Sequence, residues 1–170
     1  AQSLQGRVMA NLASTLISEG DFGEAYHLLQ KSLPLSRQSG ARSDECGIYM
    51  YLCENATRLG LYEDARRYGT QLIKDSQSIG HRYFEGYGYA YRGEAEMLAG
   101  HVEEAGQDLE KAIEIAEDIG ETSMKMDAIT VQAHLFLQQE KWEEAASLFQ
   151  TTAQTYEDIG FQGQATESRA

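Results

Sequence analysis

Aromatic side chains that could bind a ligand are concentrated on two segments of the chain, forty residues apart. They are Tyr49, Tyr51, Tyr83, Phe84, Tyr87, Tyr89 and Tyr91. A tyrosine ring stacks on a partner while its hydroxyl donates a hydrogen bond, and tyrosine is enriched at binding hot spots. We predict that Tyr49 and Tyr89 are core residues, because both stand at a large-residue position of the repeat described below. For Tyr51, Tyr87 and Tyr91, core packing and ligand contact are about equally favoured.

Charged residues at helical spacing accompany these tyrosines. Glu54 and Arg58 are four residues apart and would lie on one face of a helix. They can form a surface ion pair that contributes little energy. They can equally bind the terminus or a side chain of a peptide. Both interpretations stay open at this stage.

The sequence contains no constellation typical of catalysis. The histidines His27, His81, His101 and His134 do not have the spacing of a zinc motif. Gly86-Tyr87-Gly88 lies inside a helical pattern with no strand before it, so a phosphate-binding loop is excluded by context. No nucleophile motif is present. We therefore predict that the chain is not an enzyme and holds no metal or cofactor.

The two cysteines are not expected to form a disulfide. Cys46 and Cys53 are seven residues apart, which separates them by about 10 Å along a helix axis. Disulfide-linked Cα atoms lie within about 7 Å of each other. Two free thiols are typical of a reducing compartment, and we predict a cytoplasmic protein.

Negative charge is concentrated in the second half of the chain. The 170 residues carry a net charge of −13. Residues 1–85 have 10 acidic and 9 basic side chains, whereas residues 86–170 have 17 and 5. Nucleic-acid binding needs basic patches and is not expected here. The acidic half is interpreted either as a solvated surface or as a face for a basic partner. No run of about 18 apolar residues predicts a membrane helix.

The elements that position these residues follow from a forty-residue period. Glycine recurs at Gly20, Gly60 and Gly100, and a second series comprises Gly40, Gly80, Gly120 and Gly160. Apolar residues at helical spacing lie between the glycines, and glycine just after a helix is a common stop signal. The pattern predicts helices at 3–18, 22–39, 42–59, 62–79, 82–99, 102–119, 122–139 and 142–159, and the start of a ninth at 161–170. Glu140 stands where the first series would continue.

Two series of small residues share the same period. One comprises Ala25, Ala65, Ala105 and Ala145, and the other Ala13, Cys53, Gly93 and Ala133. Antiparallel helices approach closely only where neither carries bulk at the crossing. Each alanine of the first series follows an acidic residue in the first helical turn, where the helix dipole favours negative charge.

This pattern resembles the tetratricopeptide repeat. The resemblance rests on small residues twelve apart, a large residue such as Trp142 at the turn, and acidic-alanine pairs such as Glu144-Ala145. It implies an all-α fold, a right-handed α-α superhelix forming one domain over 1–170. The repeats would be approximately 3–40, 42–80, 82–120 and 122–160, with residues 161–170 starting a further or capping helix.

The resemblance also implies a site. In the family, the first helix of each pair lines a concave groove. The family's groove positions correspond to Arg7, Asn11, Ser14, Ser18, Tyr51, Glu54, Arg58, Tyr87, Tyr91, Glu94, Asp127, His134 and Gln138. A lone histidine such as His134 is more often structural or solvated.

Two function hypotheses follow. The first is a scaffold that binds a protein or peptide partner, with a basic partner as one candidate, through the concave groove. The second is an effector-sensing or self-associating arm of a larger regulator of signalling or transcription. Such an arm could form a homo-oligomer through the exposed ends of the solenoid.

Overall fold

The chain folds into eight consecutive helices, and none of the residues 2–167 forms a strand. The computed structural model describes these residues, and their side chains from 4 to 160. The helices are α1 Gln2–Glu19, α2 Phe22–Ser39, α3 Arg42–Arg58, α4 Tyr62–Ser78, α5 Arg82–Ala99, α6 Val102–Ile119, α7 Thr122–Gln138 and α8 Trp142–Glu167. The first seven agree with the predicted bounds to within one residue. The all-α superhelix predicted from the repeat is confirmed.

The periodic glycines stop the helices through a left-handed backbone. The φ angle is positive at Gly20, Gly40, Gly60, Gly80, Gly100 and Gly120. After α5, the His101 backbone N–H donates to the Glu96 carbonyl at 2.8 Å. This bond closes the paired pattern of a Schellman turn, which satisfies carbonyls that the helix end leaves free. At the start of α2, the Asp21 carboxylate accepts from the Glu24 backbone N–H at 3.1 Å and forms an N-cap.

Two positions at the C-terminal end depart from this pattern. Glu140 stands at the fourth position of the first glycine series and has a φ of 60°. Residues other than glycine rarely adopt this left-handed conformation. Gly160 does not stop α8, which continues through it to Glu167. The predicted end at 159, and a separate helix starting at 161, are therefore wrong for the described residues. A single glycine inside a helix costs only about 1 kcal/mol, so glycine alone does not force a stop.

The small residues lie where the helices cross. Ala25, Ala65, Ala105 and Ala145 are fully buried, as are Ala13, Cys53 and Ala133. Gly93 approaches the Leu109 side chain so closely that an added Cβ would lie 3.0 Å from its Cγ. The steric reason given for the two series is confirmed at these residues. Cys46 and Cys53 are both buried and unlinked.

Acidic residues at the end of α6 have partners on other helices. Glu117 pairs with Lys125 at 2.7 Å, and Asp118 pairs with Arg82 at 3.0 Å. These pairs offset the unfavourable position of two carboxylates at a helix C-terminus. They also connect α6 to α5 and α7.

Helices of odd and even number form two layers. Odd helices contact one another in sequence, α1 with α3, α3 with α5, and α5 with α7. Among the described residues, the backbones of even helices approach only those of odd-numbered neighbours. Helices α2 and α4 meet through side chains, since the Tyr26 hydroxyl donates to Asp64 at 2.9 Å. The odd helices are therefore the more closely spaced layer, and we call this layer the inner layer. No described helix is long and apolar enough to cross a lipid bilayer.

Candidate functional site

The candidate site residues all lie on the inner layer. Helix α3 carries Tyr51, Glu54 and Arg58, α5 carries Tyr87, Tyr91 and Glu94, and α7 carries Asp127 and His134. Positions forty apart occupy equivalent places on successive helices. Glu54, Glu94 and His134 therefore form one row across the groove, and Tyr87 and Asp127 belong to another. The forty-residue period fixes both rows.

A ladder of tyrosines runs along α5. Tyr83, Tyr87 and Tyr91 are spaced four residues apart, so their rings lie one above the other on one helix face. The rings of Tyr87 and Tyr91 are stacked with centroids 5.6 Å apart and planes at 28°. Tyr83 and Tyr87 have centroids 4.9 Å apart. All three remain partly or fully accessible, so the ladder presents aromatic surface to the groove.

Glycines on the back of α5 explain how the ladder is positioned. An added Cβ at Gly88 would lie 2.8 Å from Ile73 Cγ1 and 3.3 Å from the Ile73 backbone nitrogen. Helix α5 therefore packs against α4 at a distance that only glycine permits. Close packing thus explains the glycine at position 88.

Three carboxylates on three different helices interact electrostatically. Burial raises the pKa of Glu54, and Glu94 and Asp127 raise it further by repulsion. Burial likewise raises the pKa of Glu94, with a further contribution from Asp127. The Arg58 guanidinium opposes both shifts, since a nearby cation favours the ionised carboxylate. The groups thus interact across α3, α5 and α7.

Tyr91 interacts electrostatically with all three carboxylates. Burial raises the pKa of its hydroxyl, and Glu54, Asp127 and Glu94 all raise it further. Burial and the neighbouring Tyr83 raise the pKa of Tyr87 in the same way. Both hydroxyls therefore stay protonated near neutral pH and can donate hydrogen bonds. We call Glu54, Tyr87, Tyr91, Glu94 and Asp127 the acidic groove.

Asp127 and His134 mark the far side of the groove. Asp127 is exposed, but partial desolvation by neighbouring groups raises its pKa. A hydrogen bond from the Tyr156 hydroxyl partly offsets this rise. His134 is exposed and its ring meets Phe149 edge to face at 5.1 Å. In the part of the chain that the structure describes, no three histidine, cysteine or acidic side chains are grouped to hold a metal ion.

The two tyrosines predicted to be core residues differ in how deeply they are buried. Tyr49 is 3 % exposed, and its hydroxyl accepts a hydrogen bond from Arg37, so the core prediction is confirmed. Tyr89 is only partly buried, and the Arg92 guanidinium lies 5.6 Å from its ring centroid. Tyr89 packs at the edge of a core cluster rather than inside it.

A cavity beside Tyr51 was not found from the sequence. It has a volume of about 260 Å³ and lies between α1, α2 and α3, with Phe84 of α5 at one wall. Arg7 and Asn11, two groove positions implied by the resemblance, line it together with Gly47. The signal was present in the period, since Gly47 stands where the next repeat has Tyr87.

Comparison with known families supports the resemblance at one repeat. Residues 128–162 match the family model described as tetratricopeptide repeat. The match covers most of α7 and the first part of α8. No curated protein matches the sequence.

Solved structures agree with this assignment of the fold. A Rap protein complexed with competence and sporulation factor superposes with a TM-score of 0.82 at 13 % identity, over 94 % of the present chain and 45 % of its own chain. BtubC from P. vanneervenii gives 0.78 at 14 % identity, over 94 % and 66 %. A signal-transduction ATPase with a tetratricopeptide-repeat sensor, from Pyrococcus horikoshii, gives 0.70 at 15 % identity, over 98 % and 26 %.

These likenesses concern the fold alone, because identity is low. The chain spans between 26 % and 66 % of the lengths of these three proteins. A stack of this kind offers an extended inner surface, which is the usual binding surface of a solenoid. At that level the architecture supports a protein-interaction scaffold.

Proposed function

We propose that this chain is a tetratricopeptide-repeat scaffold that binds a basic peptide segment in the acidic groove. The observation that carries the proposal is the placement of Glu54, Glu94 and Asp127 around Tyr91. Each carboxylate raises the free energy of another when ionised. A bound cation removes that repulsion, so the groove favours a lysine or arginine side chain.

The aromatic ladder supplies the second part of the recognition. A cation over the face of a tyrosine is attracted by the ring quadrupole, by about 0.5–2 kcal/mol depending on its hydration. Tyr87 and Tyr91 present stacked rings next to the carboxylates. The aliphatic stem of a lysine or arginine would pack on the rings while its head group pairs with Glu94 or Asp127. Arg58 would lie beside a backbone carbonyl or an acidic residue of the peptide.

The likeness to the Rap complex supports this proposal indirectly. That structure contains a bound factor, competence and sporulation factor. The acidic second half of the present chain, with 17 acidic and 5 basic side chains in residues 86–170, agrees with a basic partner. Long-range attraction of this kind accelerates association at low salt.

Peptide binding measured by fluorescence anisotropy tests the proposal. A labelled peptide rich in lysine and arginine is compared with a matched peptide in which glutamine replaces every basic residue. We expect the basic peptide to bind more tightly, and Glu94→Gln to weaken it by roughly tenfold, as for a lost charge-assisted hydrogen bond. Replacing Tyr87 and Tyr91 by alanine should weaken binding while the helical circular dichroism signal is retained.

The matched control is Glu110→Gln, an exposed glutamate on α6 in the outer layer. It removes the same charge from the chain without touching the groove. Equal binding of the basic and glutamine peptides would refute the proposal. So would an equal loss of affinity in Glu94→Gln and Glu110→Gln, because the attraction would then be a property of net charge.

A second candidate function, self-association, is favoured by apolar residues on α1. Leu4, Val8 and Leu12 are four residues apart and are 67 %, 56 % and 52 % exposed. Such a stripe is the face that a helix buries against another helix. Light scattering of wild type and Val8→Glu would test whether copies associate through it. A concentration-independent monomer would count against this candidate.

A further inference from the structure

The cavity between α1, α2 and α3 contains a buried hydroxyl that has no partner. Ser36 is 4 % exposed, and its Oγ forms no hydrogen bond with any described residue. The same residue lines the cavity of about 260 Å³. A buried polar atom left without a hydrogen bond costs about 1–3 kcal/mol. Its position on the cavity wall identifies a place where a polar ligand atom would be stabilised.

Opposite charges line the same cavity without pairing. Arg7 of α1 and Asp44 of α3 are both lining residues. Neither forms an ion pair with another side chain among residues 4–160. A separated cation and anion across one cavity suit a ligand that itself carries both charges. The ligand carboxylate would face Arg7, and its ammonium would face Asp44.

The remaining walls set the size and character of the ligand. Ala10, Ile48, Tyr51 and Phe84 contribute apolar surface. Pockets for drug-sized molecules have volumes of roughly 300–1,000 Å³, so this cavity suits a smaller molecule. An apolar side chain of a few carbon atoms would cover these walls.

The cavity exists because one side chain is missing. Gly47 occupies the position that Tyr87 occupies one repeat later, and an added Cβ at Gly47 would meet only Phe84, at 3.8 Å. Unlike Gly88, Gly47 is not required by close packing. The open space in front of it is thus a property of this repeat alone and is independent of the acidic groove.

We propose that this cavity binds a free α-amino acid with an apolar side chain, through Arg7, Asp44 and the Ser36 hydroxyl. This site goes beyond the proposed peptide groove and does not depend on it. A scaffold with such a site would combine a partner surface and a small-molecule site on one inner layer.

Isothermal titration calorimetry with L-leucine and L-phenylalanine tests the proposal. Each is compared with its N-acetyl derivative, which lacks the ammonium, and with its amide, which lacks the carboxylate. We expect at least one free amino acid to bind and both derivatives to bind at least tenfold more weakly. Equal binding of an N-acetyl derivative would overturn the proposal in favour of a peptide C-terminus, and equal binding of an amide in favour of an N-terminus. Absence of binding by both free amino acids would also overturn it.

Variants separate binding from folding. Ser36→Ala should weaken binding roughly fivefold without lowering the thermal midpoint of the unliganded protein, since the hydroxyl has no partner to lose. Gly47→Leu should abolish binding by filling the cavity. Gly47→Ala is the milder alternative if the larger side chain impairs folding. Gly106→Ala, a helical glycine whose added Cβ would meet only Leu135 at 3.9 Å, is the matched control.

The two sites can fail separately. Glu94→Gln should leave amino-acid binding unchanged, and Gly47→Leu should leave binding of the basic peptide unchanged. If Ser36→Ala and Gly106→Ala bind the amino acid as well as wild type does, the ligand occupies another place and the assignment of this cavity is wrong.

Discussion

Helices α3 and α5 occupy equivalent places in successive repeats, yet they distribute bulk in opposite ways. On α3, Gly47 faces the groove, and Cys46 and Ile48 beside it are buried. On α5, the equivalent positions are Tyr87 in the groove, with Gly86 and Gly88 buried beside it. Helix α3 thus has larger side chains on its buried side and none toward the groove, whereas α5 has a large side chain toward the groove and none on its buried side.

The reversal changes what each inner face can bind. The gap in front of Gly47 becomes a cavity that is open to solvent on one side and has Phe84 as one wall. The tyrosines of α5 fill the same space in their own repeat and extend an aromatic surface toward Glu94 and Asp127. A solenoid can therefore acquire two different sites by redistributing side-chain volume on a constant backbone, without any change in the period.

The largest expected difference between α3 and α5 is in their response to a glycine-to-alanine change, Gly47→Ala on α3 and Gly88→Ala on α5. Gly88→Ala places a Cβ 2.8 Å from Ile73 Cγ1 and close to the backbone, so we expect a loss of about 1–3 kcal/mol in the free energy of unfolding. Gly47→Ala meets only Phe84 at 3.8 Å and should gain about 0.5–1 kcal/mol from helix propensity. Urea denaturation of both variants measures the difference. Similar changes in the free energy of unfolding for the two variants would contradict the proposed difference in packing between α3 and α5.

The periodic glycines explain why most of the fold was predictable. A left-handed helix stop is a local property, and glycine adopts that conformation at little cost, so six helix ends followed from the glycines alone. The seventh, at Glu140, followed from the period. Gly160 failed as a stop because a lone glycine is tolerated inside a helix. The three residues before Gly160 are the same as those before Gly120.

The site was predictable only in part, because it depends on how helices curve past one another. The resemblance identified Glu54, Glu94 and Asp127 as groove positions, but their mutual repulsion depends on distances between three helices. The cavity depends on what is missing at Gly47 and on the unpartnered hydroxyl of Ser36, which lies on α2 rather than on a first helix. No local pattern reports either feature.

A smaller effect on the free energy of unfolding is expected at the turn between α7 and α8. Here the comparison is between the residues that end the helices. Glu140 has a φ of 60°, whereas the preceding turns have glycine in this conformation. Glu140→Gly should raise the free energy of unfolding by about 1 kcal/mol, because glycine adopts the left-handed region without steric cost. The reverse change, Gly120→Glu, should lower it by a similar amount. Thermal unfolding followed by circular dichroism would check both. A loss of stability in Glu140→Gly would contradict the interpretation that the backbone is strained at Glu140.

The smallest effect concerns pH and distinguishes the acidic groove from the rest of the surface. The folded protein raises the pKa of Glu94 through burial and repulsion from Asp127, with Arg58 opposing. The folded state therefore holds this proton more tightly than the unfolded chain, so stability rises as pH falls through the raised pKa and is lost as pH increases.

Glu94→Gln removes this dependence, because glutamine stays neutral at every pH. We expect the variant to be more stable than wild type at pH 8, and the difference to shrink toward pH 5 as Glu94 takes up its proton. Glu110→Gln is the control that removes one negative charge outside the groove. Urea midpoints of the three proteins at both pH values measure this. A difference between wild type and Glu94→Gln that widened toward pH 5 would reverse the sign of the shift, and would mean that Arg58 stabilises the ionised form of Glu94 more than burial and Asp127 disfavour it. The groove would then contain a satisfied ion pair, and it would have much less tendency to bind a basic side chain.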